Sequence, residues 1–128
     1  MRMIIVNLPV KDLTKSMAFF TELGFRFNPE FSDDKAACMV VDQNIFVMLL
    51  VEDRFRDFVN GDIADATTMT EVLTALSADS REQVDETIAK AIAAGGRPWR
   101  PIMEDGPMYG GSFQDPDGHV WELIYMPQ

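Results

Sequence analysis

Apolar and polar positions along this chain change their period at regular intervals, and the changes mark out elements. MIIVNL (residues 3–8) is a short apolar run that reads as a strand closing at Pro9. Asp12 then offers a cap, and Leu13, Met17, Phe20 and Leu23 follow at helical spacing until Gly24 ends the helix. FRFN, AACMVV and NIFVMLLV read as three further strands, the last two joined by the polar turn Asp42-Gln43-Asn44. The predicted order is β-α-β-β-β.

The second half repeats that order. EVLTALSA (71–78) reads as a strand, Ser80 and Gln83 form a capping box, and Val84, Ile88, Ala91 and Ile92 make the apolar stripe of a helix stopped by Gly95-Gly96. RPWRPI, MYGGSFQ and HVWELIYM read as three more strands, the last two joined by the turn Asp115-Pro116-Asp117-Gly118. Residues 52–70 carry a short amphipathic helix with Phe55, Phe58 and Val59 on one face and are otherwise polar, which predicts a linker. The expected organisation is one α+β domain over 1–128: module one at 1–51, the linker at 52–70 and module two at 71–128. Neither half can bury its own sheet face, so the two are expected to form curved sheets around a shared cleft.

Composition narrows the partners. The chain has 128 residues, 47% of them hydrophobic, enough for a core; its formal net charge of −10 opposes binding to nucleic acid or to an anionic membrane. Cys38 is the single cysteine and lies in an apolar run, where a buried, inert thiol is expected and an intramolecular disulfide is impossible. No run approaches the roughly 20 apolar residues of a membrane span, and the opening lacks a signal-peptide pattern, so a cytoplasmic protein is expected.

One residue resists the pattern. Glu122 stands in an otherwise apolar strand, where a charge is costly unless it has a task. The repeat locates its counterpart: an offset of 74 residues carries Asn44 onto Gly118 and Met48 onto Glu122, whereas the two first strands match at an offset of 68, Ile5 with Leu73.

The stretches VNLPVKDLTKSMAFFTELGF and SFQDPDGHVWELIYM, with the paired β-α-β-β-β order over the whole chain, resemble the vicinal oxygen chelate superfamily, which holds glyoxalase I, bleomycin-resistance proteins, fosfomycin-resistance proteins and extradiol dioxygenases. The resemblance implies paired modules around a cleft, a homodimer, and, in the metal enzymes, ligands on the first and last strands of each module. The positions matching those ligands here are Ile5, Met48, Leu73 and Glu122. One carboxylate among aliphatic and thioether side chains cannot hold a divalent ion, so neither metal nor other cofactor is expected. His119 lies three residues from Glu122, on the opposite face of a regular strand, and is expected to serve the turn.

Three roles for Glu122 follow. As the polar anchor of an apolar small-molecule site, it would act with Ile5, Phe46, Met48, Leu73 and Tyr109 as ligand-binding residues, in the manner the resemblance to bleomycin-resistance proteins implies. As the general base of a lyase or isomerase, resembling lactoylglutathione lyase, with or without a recruited divalent metal, it would need enolate-stabilising donors; Gly110, Gly111, Tyr109, Arg97 and Arg100 are the candidates. As a structural residue, it would pair with an arginine.

Overall fold

The computed structural model describes residues 1–127, and the chain divides into two compact units, Met1–Ala64 and Asp65–Gln128. The first contains β1 (Ile4–Val10), α1 (Leu13–Glu22), β2 (Arg26–Asn28), a 3-10 turn at Pro29–Phe31, β3 (Ala36–Asp42), β4 (Ile45–Val51) and α2 (Glu52–Arg56). Its sheet runs β1-β4-β3-β2, with β1 parallel to β4 and the other pairs antiparallel. The second contains β5 (Leu73–Ser77), α3 (Arg81–Ala93), β6 (Arg97–Pro98), β7 (Met103–Asp105), β8 (Met108–Gln114) and β9 (Val120–Tyr125). Its sheet runs β5-β9-β8-β6, with β7 also on β8. The chain is α+β in class, built of two curved sheets and few helices.

Local chemistry sets the boundaries. Asp12 accepts the Lys15 N–H at 3.0 Å to open α1, and Ser80 accepts the Gln83 N–H at 3.0 Å to open α3. Gln83 returns a bond to the N–H of Asp79, completing a capping box displaced by one residue. Gly24 and Gly95 follow the two helices at φ 100° and 111°, a conformation that costs glycine little.

Each helix covers one face of its own sheet. In the first unit Ala37, Met39, Val47 and Leu49, all less than 2% exposed, lie with Phe19 and Phe20 of α1, whose rings meet edge-on at 5.0 Å. The buried side of α1 is Leu13, Ser16, Phe19 and Phe20, so the stripe is rotated from the one expected and Met17 and Leu23 lie at its margins, half-buried. In the second unit Phe113, Trp121 and Leu123 pack beneath Val84 and Ala91 of α3. Gly111 permits the approach: a Cβ there would stand 3.0 Å from the side chains of Val84 and Ile102 and 3.1 Å from Ile88.

Three expectations shift. β1 runs through Pro9 to Val10: it stands at the end of its sheet's strand order, where proline is tolerated. RPWRPI is not one strand: β6 ends at Pro98, and pairing on β8 resumes only at Met103. Between them Pro101 has no N–H to give, and the Arg100 N–H goes to the Ser112 hydroxyl at 3.1 Å. The stretch read as a linker is in part packed structure: α2 rests on β1 and β4, and residues 66 and 67 lie against the turn at Gly118. Among the described residues, no helix is long and apolar enough to cross a membrane.

Candidate functional site

Strand alternation leaves each sheet one face that its helix does not cover. In the first unit that face carries Ile5 and Asn7 from β1, Phe46, Met48 and Leu50 from β4, and Cys38 from β3. Ile5 stands beside Phe46, and Met48 lies between Asn7 and Cys38 in one cross-sheet row. These side chains form the floor of a groove of about 640 Å³, within the range of small-molecule sites. Three of the residues singled out from sequence, Ile5, Phe46 and Met48, therefore lie together on one groove floor. Polar groups from Asn28, Ser32 and Arg54 reach its rim, where the Arg54 guanidinium lies 4.5 Å above the Phe58 ring and pairs with Asp57 at 2.8 Å. Cys38 is 5% exposed, and burial pushes its thiol above the usual cysteine range.

In the second unit the uncovered face carries Leu73, Ala75 and Ser77 from β5, Val120, Glu122 and Ile124 from β9, and Gly110 and Ser112 from β8. Glu122 lies between Ala75 and Ser112, as Met48 lies between Asn7 and Cys38, so the two offsets of 68 and 74 hold in the register itself. Leu73 sits one pair along from Glu122, beside Val120. Glu122 is half-buried, and among the described residues it has no hydrogen bond or ion pair. Among the described residues of the chain no arginine pairs with it, Arg97 and Arg100 included.

Tyr109 does not join this face. It lies three residues before Ser112 in β8, an odd separation, and turns toward α3. Its hydroxyl donates to Asp85 at 2.7 Å and its ring lies 4.8 Å beneath the Arg81 guanidinium. The bond to Asp85, with desolvation and that carboxylate's charge, holds the phenol above its ordinary range. The amides of Gly110 and Gly111 lie in the plane of the sheet rather than on the Glu122 face. The donors expected around an enolate are thus not assembled at Glu122; the group that is assembled there, the Ser112 hydroxyl, was not singled out from sequence.

Asp115 was also missed. Its carboxylate accepts from the backbone N–H of Asp117 at 2.9 Å and of His119 at 3.0 Å, and from the Trp121 indole N–H at 3.0 Å. His119 thus engages the turn through its backbone. The Asp-Pro-Asp-Gly turn chemistry marks Asp115, but its reach to Trp121 needs the hairpin closed.

A metal in the manner of the family's ion-dependent enzymes does not fit these residues. Ile5, Met48 and Leu73 supply no hard donor, and the neighbours of Glu122 in its row are Ala75 and a serine whose oxygen already accepts the Arg100 N–H. Among the described residues no three of His, Cys, Asp and Glu cluster for an ion.

Comparison with known proteins agrees with this architecture. The profile of the Glyoxalase/Bleomycin resistance protein/Dioxygenase superfamily matches residues 2–123. A hypothetical protein, SA1046, from S. aureus superposes with a TM-score of 0.83 at 27% identity, covering 98% of this chain and 94% of that one. A glyoxalase-related enzyme from Fulvimarina pelagi gives 0.82 at 21% identity, covering 98% and 88%. The fosfomycin resistance protein FosX from Listeria monocytogenes gives 0.72 at 21% identity, covering 99% and 94%. No curated protein matches the sequence.

Proposed function

The chain belongs to the glyoxalase/bleomycin resistance protein/dioxygenase superfamily, and on that premise we propose that it is a small-molecule-binding protein working without a resident metal. The observation that carries the reading is the groove of about 640 Å³ whose floor unites Ile5, Phe46 and Met48. Apolar walls with a few polar groups at the rim suit a small organic ligand, and the thioether of Met48 adapts to its shape. In the second unit, Glu122 and Leu73 lie on the equivalent face, where Glu122 offers an open carboxylate to a ligand.

The proposal extends to a cytoplasmic homodimer. β1 and β5 are edge strands of their own sheets, and Ile4 and Ile5 in the first unit and Val72 and Leu73 in the second are each about half exposed or more, so each unit has an apolar edge that suits a second copy. Sedimentation at micromolar concentration tests the dimer, and a monomer refutes it. Thermal-shift screening against apolar antibiotics and 2-oxo compounds, with a product assay on each hit, tests the binding role. Stabilisation without turnover supports it, and stabilisation by none of them refutes it.

One observation favours a second reading, a lyase or isomerase with Glu122 as general base: among the described residues its carboxylate has no partner to hold it back from a substrate proton. Turnover by the parent protein that Glu122→Gln abolishes would establish it.

A further inference from the structure

Ala75 and Ser112 flank Glu122 on the neighbouring strands, and along β9 it stands between Val120 and Ile124 on the same face, with Ser77 and Gly110 beside Ile124. The carboxylate therefore has two small residues directly across from it and an apolar one before and after it on its own strand. It is also half-buried without any hydrogen bond or ion pair among the described residues, although the chain supplies eleven Lys and Arg. A carboxylate with no partner of its own among the described residues is open to a ligand, and what answers its charge best is a cation bearing N–H donors.

Ser112 supplies the complement. Its side chain is 6% exposed and its oxygen accepts the Arg100 backbone N–H at 3.1 Å. A hydroxyl has two lone pairs, so one acceptor position remains on the face that Glu122 shares. A protonated amine has several N–H donors and can give one to Glu122 and one to Ser112. The net charge of −10 attracts such a ligand from a distance and repels its anionic counterparts.

We infer that the Glu122–Ser112 pair is a recognition point for a protonated amine, and that the ligands of this protein are apolar molecules carrying a cationic nitrogen. The inference rests on the small-molecule-binding reading above and specifies the ligand's charge. Among the described residues no arginine pairs with the carboxylate.

The test compares 1-naphthylmethylamine with 1-naphthylmethanol, similar in shape but differing in charge, by calorimetry at pH 7. The amine is expected to bind about tenfold more tightly, as a charge-assisted bond gives. Glu122→Gln is expected to bring the ratio to about one, Glu122→Asp to retain part of it, and Ser112→Ala to lower the amine's affinity about threefold. Circular dichroism confirms that each variant is folded, and backbone amide shifts at Ala75 and Ser112 are expected with the amine. Equal affinity for the two probes, or a preference that survives Glu122→Gln, overturns this inference and leaves the binding reading standing. Failure of both probes to bind overturns the two together.

Discussion

Trp121 and Asp115 are tied side chain to side chain, the indole N–H donating to the buried carboxylate at 3.0 Å. The same carboxylate holds the N–H groups of Asp117 and His119, so one residue links the β8–β9 turn to the core beneath α3. Trp121→Phe, which removes one donor, is expected to cost about 1–3 kcal/mol, and Asp115→Ala, which frees three, more than that. Urea unfolding of the two variants gives the order, and an Asp115→Ala protein as stable as the parent would show the turn to be held by other contacts.

Burial, against the opposing pull of His119 and the Trp121 N–H, holds the Asp115 carboxyl above the ordinary aspartate range. The folded chain therefore keeps this proton more tightly than the unfolded chain. The stabilisation from that difference is fully present below the ordinary aspartate pKa and is lost as pH rises through the folded value. Relative to Asp115→Asn, the parent is expected to lose stability as pH rises across that window; unfolding curves at several acidic pH values measure the difference.

Gly118 and Gly106 separate two costs of replacing glycine. Both have positive φ, 90° and 59°, but a Cβ at Gly118 would fall 2.8 Å from the Ala66 carbonyl oxygen and 2.9 Å from Thr67 Cα, whereas at Gly106 it meets nothing within 4 Å. Gly106→Ala is expected to cost about 1–2 kcal/mol from backbone strain alone. Gly118→Ala must also move backbone and is expected to exceed it, as paired thermal melts will register.

Glu122→Gln is expected to leave stability within about 0.5 kcal/mol of the parent, because among the described residues no bond is lost with the charge. A fall of several degrees in melting temperature would restore a structural role for this residue.

Cys38 has little exposure and a thiol raised by desolvation, so its reaction with a thiol reagent at pH 7–8 is expected to be slow in the native protein and at least about tenfold faster in denaturant. Rapid native labelling would mean that the groove floor opens readily.

The architecture was legible because periodicity, caps and turns agree along each half: Asp12, Ser80 and the Asp42-Gln43-Asn44 turn all stand where the pattern put them. What depended on pairing across strands was not. Tyr109 was placed near Glu122 by its aromatic character, although parity in β8, once Ser112 is known to face Glu122, turns it to the helix side. Asn7 shares a row with Met48 through the parallel β1–β4 register, which no hairpin turn fixes. The break in RPWRPI was signalled by Pro98 and Pro101, but apolar content outweighed it.

The duplicated register gives this protein a built-in control. Cys38 faces Met48 across β3–β4 on the same rung where Ser112 faces Glu122 across β8–β9. Installing Ser at 38 and Glu at 48 would transplant the polar rung onto its twin address, so that the chemistry of one pair can be measured twice within a single molecule.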